Sequence, residues 1–355
     1  FQVISLVRAL KRMKNLKYFF SATGIGWVCL FSMNSCIDPG IKNNNLPEPA
    51  SFKSDSIGLG LELQTDTSLY RKRMVELANG DQSGRWPPKV AQPMAGSVVP
   101  FNRVVAFYGN FYSKKMGILG ALPAEKMLDQ LKQEVESWAK ADARSPVIPA
   151  IHYIAVSAQN KPGPAGKYRM RMPFHQIDKA LSIAKTINGI VFLDIQVGLS
   201  TLEEELPELD KYLSLPEVHL GIDPEYSMKN GSAPGTVVGA FDAADINIAS
   251  AHLAKLVAQH RIPPKMLVVH RFTTGMLTNY KNIVTRPEVQ LIINMDGFGF
   301  PALKKNSFYH TVHNEPVQFA GFKLFYKNDT VNGNHLMKPE EILKLIPQPV
   351  YIQYQ

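Results

Sequence analysis

The chain has 355 residues, 45% hydrophobic and 19% charged, an ordinary balance for a globular protein of one large domain or two smaller ones. Its net charge of +9 does not mark a nucleic-acid binder: five of the 39 basic residues (Arg8, Lys11, Arg12, Lys14 and Lys17) fall in residues 1–35, where there is no acid. The remainder carries 34 basic against 30 acidic residues and no basic run interleaved with aromatics, so no nucleic-acid partner is expected.

The basic start leads into an apolar run from Tyr18 to Met33, which is short for a membrane span but suits the apolar centre of an export signal. Cys36 follows Asn34 and Ser35 and opens a polar stretch. This pattern resembles a bacterial lipoprotein signal, with Met33 where such signals usually carry Leu, Val or Ala. The resemblance implies lipidation of Cys36, export, and a lipid anchor in the membrane of the cell envelope. Residues 1–35 are accordingly read as signal. The chain's other cysteine, Cys29, lies inside that signal, so no disulfide, thiol nucleophile or cysteine-bound zinc is expected beyond it.

Residues 36–100 are rich in Asn, Pro, Ser, Gly and Asp and read as a tether with an irregular lead-in. From residue 101 to 355, strand-like and helix-like stretches alternate. The expected strands cover residues 104–110, 147–156, 190–198, 218–223, 266–272, 289–299, 317–326 and 349–354. The expected helices cover 124–141, 175–187, 202–213, 244–260, 276–284, 302–312 and 339–345. The strands are near-continuous apolar runs, as needed when both faces are buried, and eight repeats predict an α/β fold of the (β/α)8 TIM-barrel type. No glycine-rich phosphate fingerprint follows the first strand, which argues against a dinucleotide fold.

In such a barrel the active site forms at the C-terminal ends of the strands. Those positions hold Tyr108 and Asn110, His152, Asp194 and Gln196, Asp223 and Glu225, His270, Asn294 and Asp296, Lys323 and Tyr326, and Gln353. Two carboxyl groups facing one cleft in opposite protonation states are the equipment of glycoside hydrolysis. Glu225, Asp223, Asp194 and Asp296 are therefore the expected catalytic residues. Tyr108, Asn110, His152, Gln196, His270, Asn294, Lys323 and Tyr326 are the expected substrate-binding residues. Tyr108, Tyr153, Tyr226, Phe298 and Tyr326 could offer stacking faces to a sugar.

The Asp223-Pro224-Glu225 segment resembles the Asp-x-Glu pair at the fourth strand end of chitinase-type and muramidase-type barrel glycosidases. That resemblance implies Glu225 as general acid and Asp223 as its assistant, acting on a carbohydrate. The longer chitinase-type pattern also has acids four and seven residues before the Glu, where this chain has Gly221 and Val218. As a whole the chain is similar to uncharacterised lipoproteins of Gram-negative bacteria, a likeness that implies a location and no activity. The hydrolase reading needs no cofactor. Two other readings stand beside it. In one, Asp194, Glu225, His270 and Asp296 hold Mg²⁺ or Mn²⁺. In the other, the cup binds a carbohydrate or other ligand without turning it over.

Overall fold

The computed structural model describes residues 66–355; the signal segment, Cys36 and the tether as far as residue 65 lie outside the described residues. Eight strands form in chain order: β1 (Arg103–Gly109), β2 (Val147–Ala158), β3 (Ile190–Ile195), β4 (Val218–Ile222), β5 (Lys265–Arg271), β6 (Val289–Met295), β7 (Phe319–Leu324) and β8 (Tyr351–Tyr354). They pair in parallel in the order β1-β8-β7-β6-β5-β4-β3-β2, and β1 pairs with β2 to close the ring. The chain is thus a (β/α)8 barrel, as the alternation predicts. A short antiparallel strand, Arg169–Arg171, extends the rim beside the end of β2.

Period-two alternation divides the strand residues between two cores. Val104, Ala106, Ala150, Phe192, Met266, Val268, Ile292, Phe319 and Tyr351 fill the barrel interior. Their sequence neighbours, among them Val105, Phe107, Ile151, Leu193, Leu267, Ile293, Ala320 and Ile352, face the surrounding helices.

Among the described residues, five helices have two turns or more: α1 (Thr67–Leu77), α2 (Ala124–Ala141), α3 (Phe174–Thr186), α4 (Ala243–His260) and α5 (Pro301–Phe308). Helix α1 falls inside the stretch read as irregular lead-in. Asp66 caps it, accepting from the Ser68 and Leu69 amides at 2.8 and 3.2 Å. Tyr70, Met74 and Leu77 lie on one face and join the barrel-interior core, so α1 closes the N-terminal end of the barrel.

The expected helices hold where an apolar face is sustained and fail where it is interrupted. Residues 202–213 split at Pro207 into Leu202–Glu205, a 3-10 turn at Pro207–Leu209, and Asp210–Leu213. Residues 276–284 are not a helix. Asn279 adopts a left-handed φ of 54°, and Leu277 pairs with Phe241 in a two-residue strand. Residues 339–345 give a single turn, Pro339–Ile342, and α5 widens into a π-turn at Tyr309–His313.

At the base of β1, buried Arg103 lies over the Trp138 ring and donates two bonds of 3.2 Å to Asp142, which also accepts from the Ser145 hydroxyl at 2.7 Å. Burial raises the Asp142 carboxyl, but Ser145 and Arg103 overcome it and hold the group down to about 2. A carboxyl depressed in the fold contributes stability that is present above its unfolded value of about 3.8 and is lost as pH falls toward 2. An Asp142→Asn variant has no such carboxyl to protonate. Its urea midpoint is expected to fall less between pH 4 and pH 2 than that of the wild-type chain.

Candidate active site

The inward parity of each strand continues to its C-terminal end and lines a polar cup. Register places Tyr108 opposite His152, Asp194 opposite Gly221, His270 opposite Asn294, and Lys323 opposite Gln353. All of these side chains are buried, and Gln196, Asp223 and Asp296 are slightly more open above them.

Asp194 is the hub. It has no solvent exposure, and its carboxylate accepts from the Tyr108 hydroxyl at 3.0 Å. Its other oxygen lies 3.2 Å from His152 Nε2 and 3.4 Å from His270 Nε2. The two imidazoles differ. Burial pushes His152 down to about 4, so it is neutral near pH 7. Its Nδ1 faces the Tyr351 hydroxyl at 2.5 Å and the Gln353 amide nitrogen at 3.1 Å, two donors. Nδ1 therefore accepts, and Nε2 carries the proton given to Asp194. Burial also penalises a charged His270, but Asp194 on one side and Asp296 at 3.1 Å on the other raise it to about 10. His270 is thus an imidazolium held between two carboxylates.

The carboxyl groups are driven apart. Asp194 would be raised by burial, but the two histidines hold it well below the usual range. Burial pushes Asp223 well above its usual value; His270 opposes this, while Glu225, Asp296 and Asp194 add to it. Oδ1 of Asp223 accepts from the Glu225 amide at 3.0 Å, and Oδ2 lies 3.4 Å from the Gln196 amide nitrogen. Lys323 is lowered by burial, although all four carboxyls favour its charge, and its ammonium sits 3.8 Å from the centre of the Tyr108 ring.

The cup thus gathers Tyr108, His152, Asp194, Gln196, Asp223, His270, Asn294, Asp296 and Lys323, with Glu225 half-buried one residue past Pro224. Two expected residues fall outside it. Tyr326 faces the helix layer, where its hydroxyl donates to Glu134 of α2 at 2.8 Å and its ring stacks on Tyr354. It lies three positions beyond Lys323, and an odd spacing reverses the face. Asn110 is spent tying its own loop to β2, donating to the Ile154 carbonyl at 3.0 Å and accepting from the Tyr112 amide at 2.9 Å. Among the proposed stacking residues, Tyr153 faces outward against Phe111 and Tyr108 is buried, whereas Phe298 is half-exposed.

Tyr351 was not among the expected site residues, yet its position two before Gln353 puts it on the same face. Gly221 was read only as a departure from a motif. It faces the Asp194–His152 pair and leaves room for it.

No protein-family model matches the chain, and no curated protein matches it. Solved structures similar to it include a GH5 xyloglucan-specific endo-β-1,4-glucanase from a metagenomic library, in complex with cellotriose (10% identity, TM-score 0.37, covering 80% of this chain and 90% of that one). A sugar phosphate isomerase/epimerase from Parabacteroides distasonis has 11% identity and a TM-score of 0.32, covering 73% of this chain and 88% of that one. A ruminal GH26 endo-β-1,4-mannanase has 10% identity and a TM-score of 0.34, covering 72% and 59%.

Proposed function

We propose that the chain is a glycoside hydrolase-like enzyme, tethered to the cell envelope through Cys36, that acts on an oligo- or polysaccharide. One observation carries the reading: four carboxyl groups from three strand ends, those of β3, β4 and β6, meet in one cup, where burial favours the protonated form of Asp223 and two histidines favour the ionised form of Asp194. Glu225, the most open of the four, is assigned as the general acid that protonates the leaving oxygen. Asp223 beneath it holds a proton in reserve. Asp296, paired with the His270 ring at 3.1 Å, is assigned as the partner carboxyl that activates water or balances the developing positive charge on the sugar. Asp194 serves by fixing His152, His270 and Tyr108.

A second reading, a metal-dependent enzyme, has a specific observation in its favour. His152, Asp194 and His270 bring three ligand atoms within 4.8 Å of one another. Two imidazoles and one carboxylate suit Zn²⁺, Fe²⁺ or Mn²⁺ better than Mg²⁺.

Reducing-sugar release from a panel of plant and bacterial cell-wall polysaccharides tests both. The hydrolase reading expects release that a chelator does not touch and that Glu225→Gln lowers by roughly 10²–10⁴-fold. Loss on chelation with recovery on adding Zn²⁺ or Mn²⁺ would favour the metal reading. Polysaccharide binding without release, unchanged in Glu225→Gln, would favour a binding protein.

A further inference from the structure

We propose that the buried Lys304–Asp329 ion pair positions the cup, by locking the loop that carries Asp296 and Phe298 against the strand end that carries Lys323. The functional weight of this inference rests on the hydrolase reading; the locking itself does not. Lys304 lies on α5, and Asp329 lies in the loop after β7. Both are buried, and they meet at 2.9 Å. The Lys304 ammonium also donates to the Gly297 carbonyl at 2.7 Å and to the Lys323 carbonyl at 2.8 Å, so its three donors are all used. Asp329 accepts from the Gly299 amide at 2.8 Å through one oxygen and from the Phe325 amide at 2.9 Å through the other. Each partner therefore holds both segments: Gly297 and Gly299 after β6, Lys323 and Phe325 at the end of β7.

The same ties run on toward the hub. Phe298 meets Phe325 edge-on, and Lys323 lies over both Phe325 and Tyr108, whose hydroxyl donates to Asp194. Stability alone is a poor reason for this pair. Desolvating two charges offsets most of their attraction, and apolar replacements of buried pairs are often neutral or better. What a methionine and a leucine could not reproduce are the four bonds to backbone groups flanking Asp296 and Lys323.

The test uses the Lys304→Met/Asp329→Leu double variant, which leaves no orphan charge, beside Lys304→Met alone. Amide hydrogen exchange and urea denaturation are measured on both. The expected result is a urea midpoint in the double variant lowered less than in Lys304→Met alone, with faster exchange confined to residues 296–300 and 323–329. On the polysaccharide that wild type cleaves, kcat should fall by roughly 100-fold with KM nearly unchanged, the cost of misplacing reacting groups by about 1 Å. Unchanged exchange in those two segments would overturn the proposal. So would exchange that rises throughout the chain together with an unchanged kcat. If wild type cleaves no polysaccharide, the hydrolase reading falls and the exchange pattern alone decides the role of the pair.

Discussion

An Asp194→Asn variant is expected to lose about 3–5 kcal/mol of stability, although the side chain keeps its shape, because it breaks a buried charge constellation from within. Asp194 is fully buried and accepts from Tyr108 while facing both His152 and His270. An amide has one acceptor oxygen and two N–H donors, so it cannot satisfy three such neighbours. The imidazolium of His270 would keep only Asp296 as counter-charge, and a donor would be turned toward another donor. Urea denaturation at neutral pH gives the size of the loss. Activity of the remaining folded protein should also collapse, because Asp296 would lose a fixed cationic partner. A different outcome would reassign the residue: an unchanged midpoint with abolished turnover would mean that Asp194 meets substrate directly. The contrast with Glu225→Gln is informative, since a half-buried carboxyl at the mouth should cost activity with little change in the urea midpoint.

The sequence made the barrel readable because its signal is repeated eight times and needs no knowledge of loops. Each strand is an apolar run buried on both faces, and within a strand parity alone sorts residues inward or outward. Tyr108, His152, Asp194, His270, Asn294, Asp296, Lys323 and Gln353 all follow from that rule. Parity weakens once the strand ends, as at Asn110, whereas Tyr326 was misplaced against it, since its odd spacing from Lys323 already points outward. It is equally silent on depth. Asp194 and Asp223 look alike in sequence, yet one is pinned ionised by two histidines and the other is kept protonated by burial and by its acidic neighbours. The pinning of Asp194 arises from cross-strand contacts with His152 and His270, which lie on other strands far along the chain. Lys304 and Asp329 were invisible for a related reason. Lys304-Lys305 on a short polar helix reads as a solvated face, and only the fold brings Lys304 to the backbone of two strand ends. The helix expected at 276–284 failed in the other direction. Its apolar spacing was acceptable, but Asn279 turned left-handed and strand pairing took Leu277.

The largest effect from the smallest change is expected at Gly221, where Gly221→Ala should destabilise the chain by about 3 kcal/mol, the upper range for overpacking a rigid core. The α-carbon of Gly221 faces the barrel interior beside Asp194 and His152. A β-carbon there would lie 2.7 Å from His152 Cε1 and closer still to His152 Nε2 and Asp194 Oδ1. Relief would require one of those groups to move, and neither can do so freely. The His152 ring is stacked on Phe192 at 5.2 Å with an interplanar angle of 9°, and its Nδ1 is held by Tyr351 and Gln353. Asp194 is held by Tyr108. The added methyl should therefore displace the hub, lower the urea midpoint, and abolish turnover in whatever protein still folds. Two other glycines make the comparison quantitative. At Gly321 a β-carbon would lie 2.8 Å from Asn294 Oδ1 and 3.1 Å from Asn294 Cα and Cβ, contacts less severe than those at Gly221, so Gly321→Ala should cost less. At Gly275 nothing lies within 4 Å, so Gly275→Ala should leave both midpoint and turnover close to wild type. If all three alanines behave alike, the hub is not the source of the effect, since the unfolded-chain contribution common to all three favours folding. The order Gly221, then Gly321, then Gly275 would instead place it where His152 and Asp194 meet.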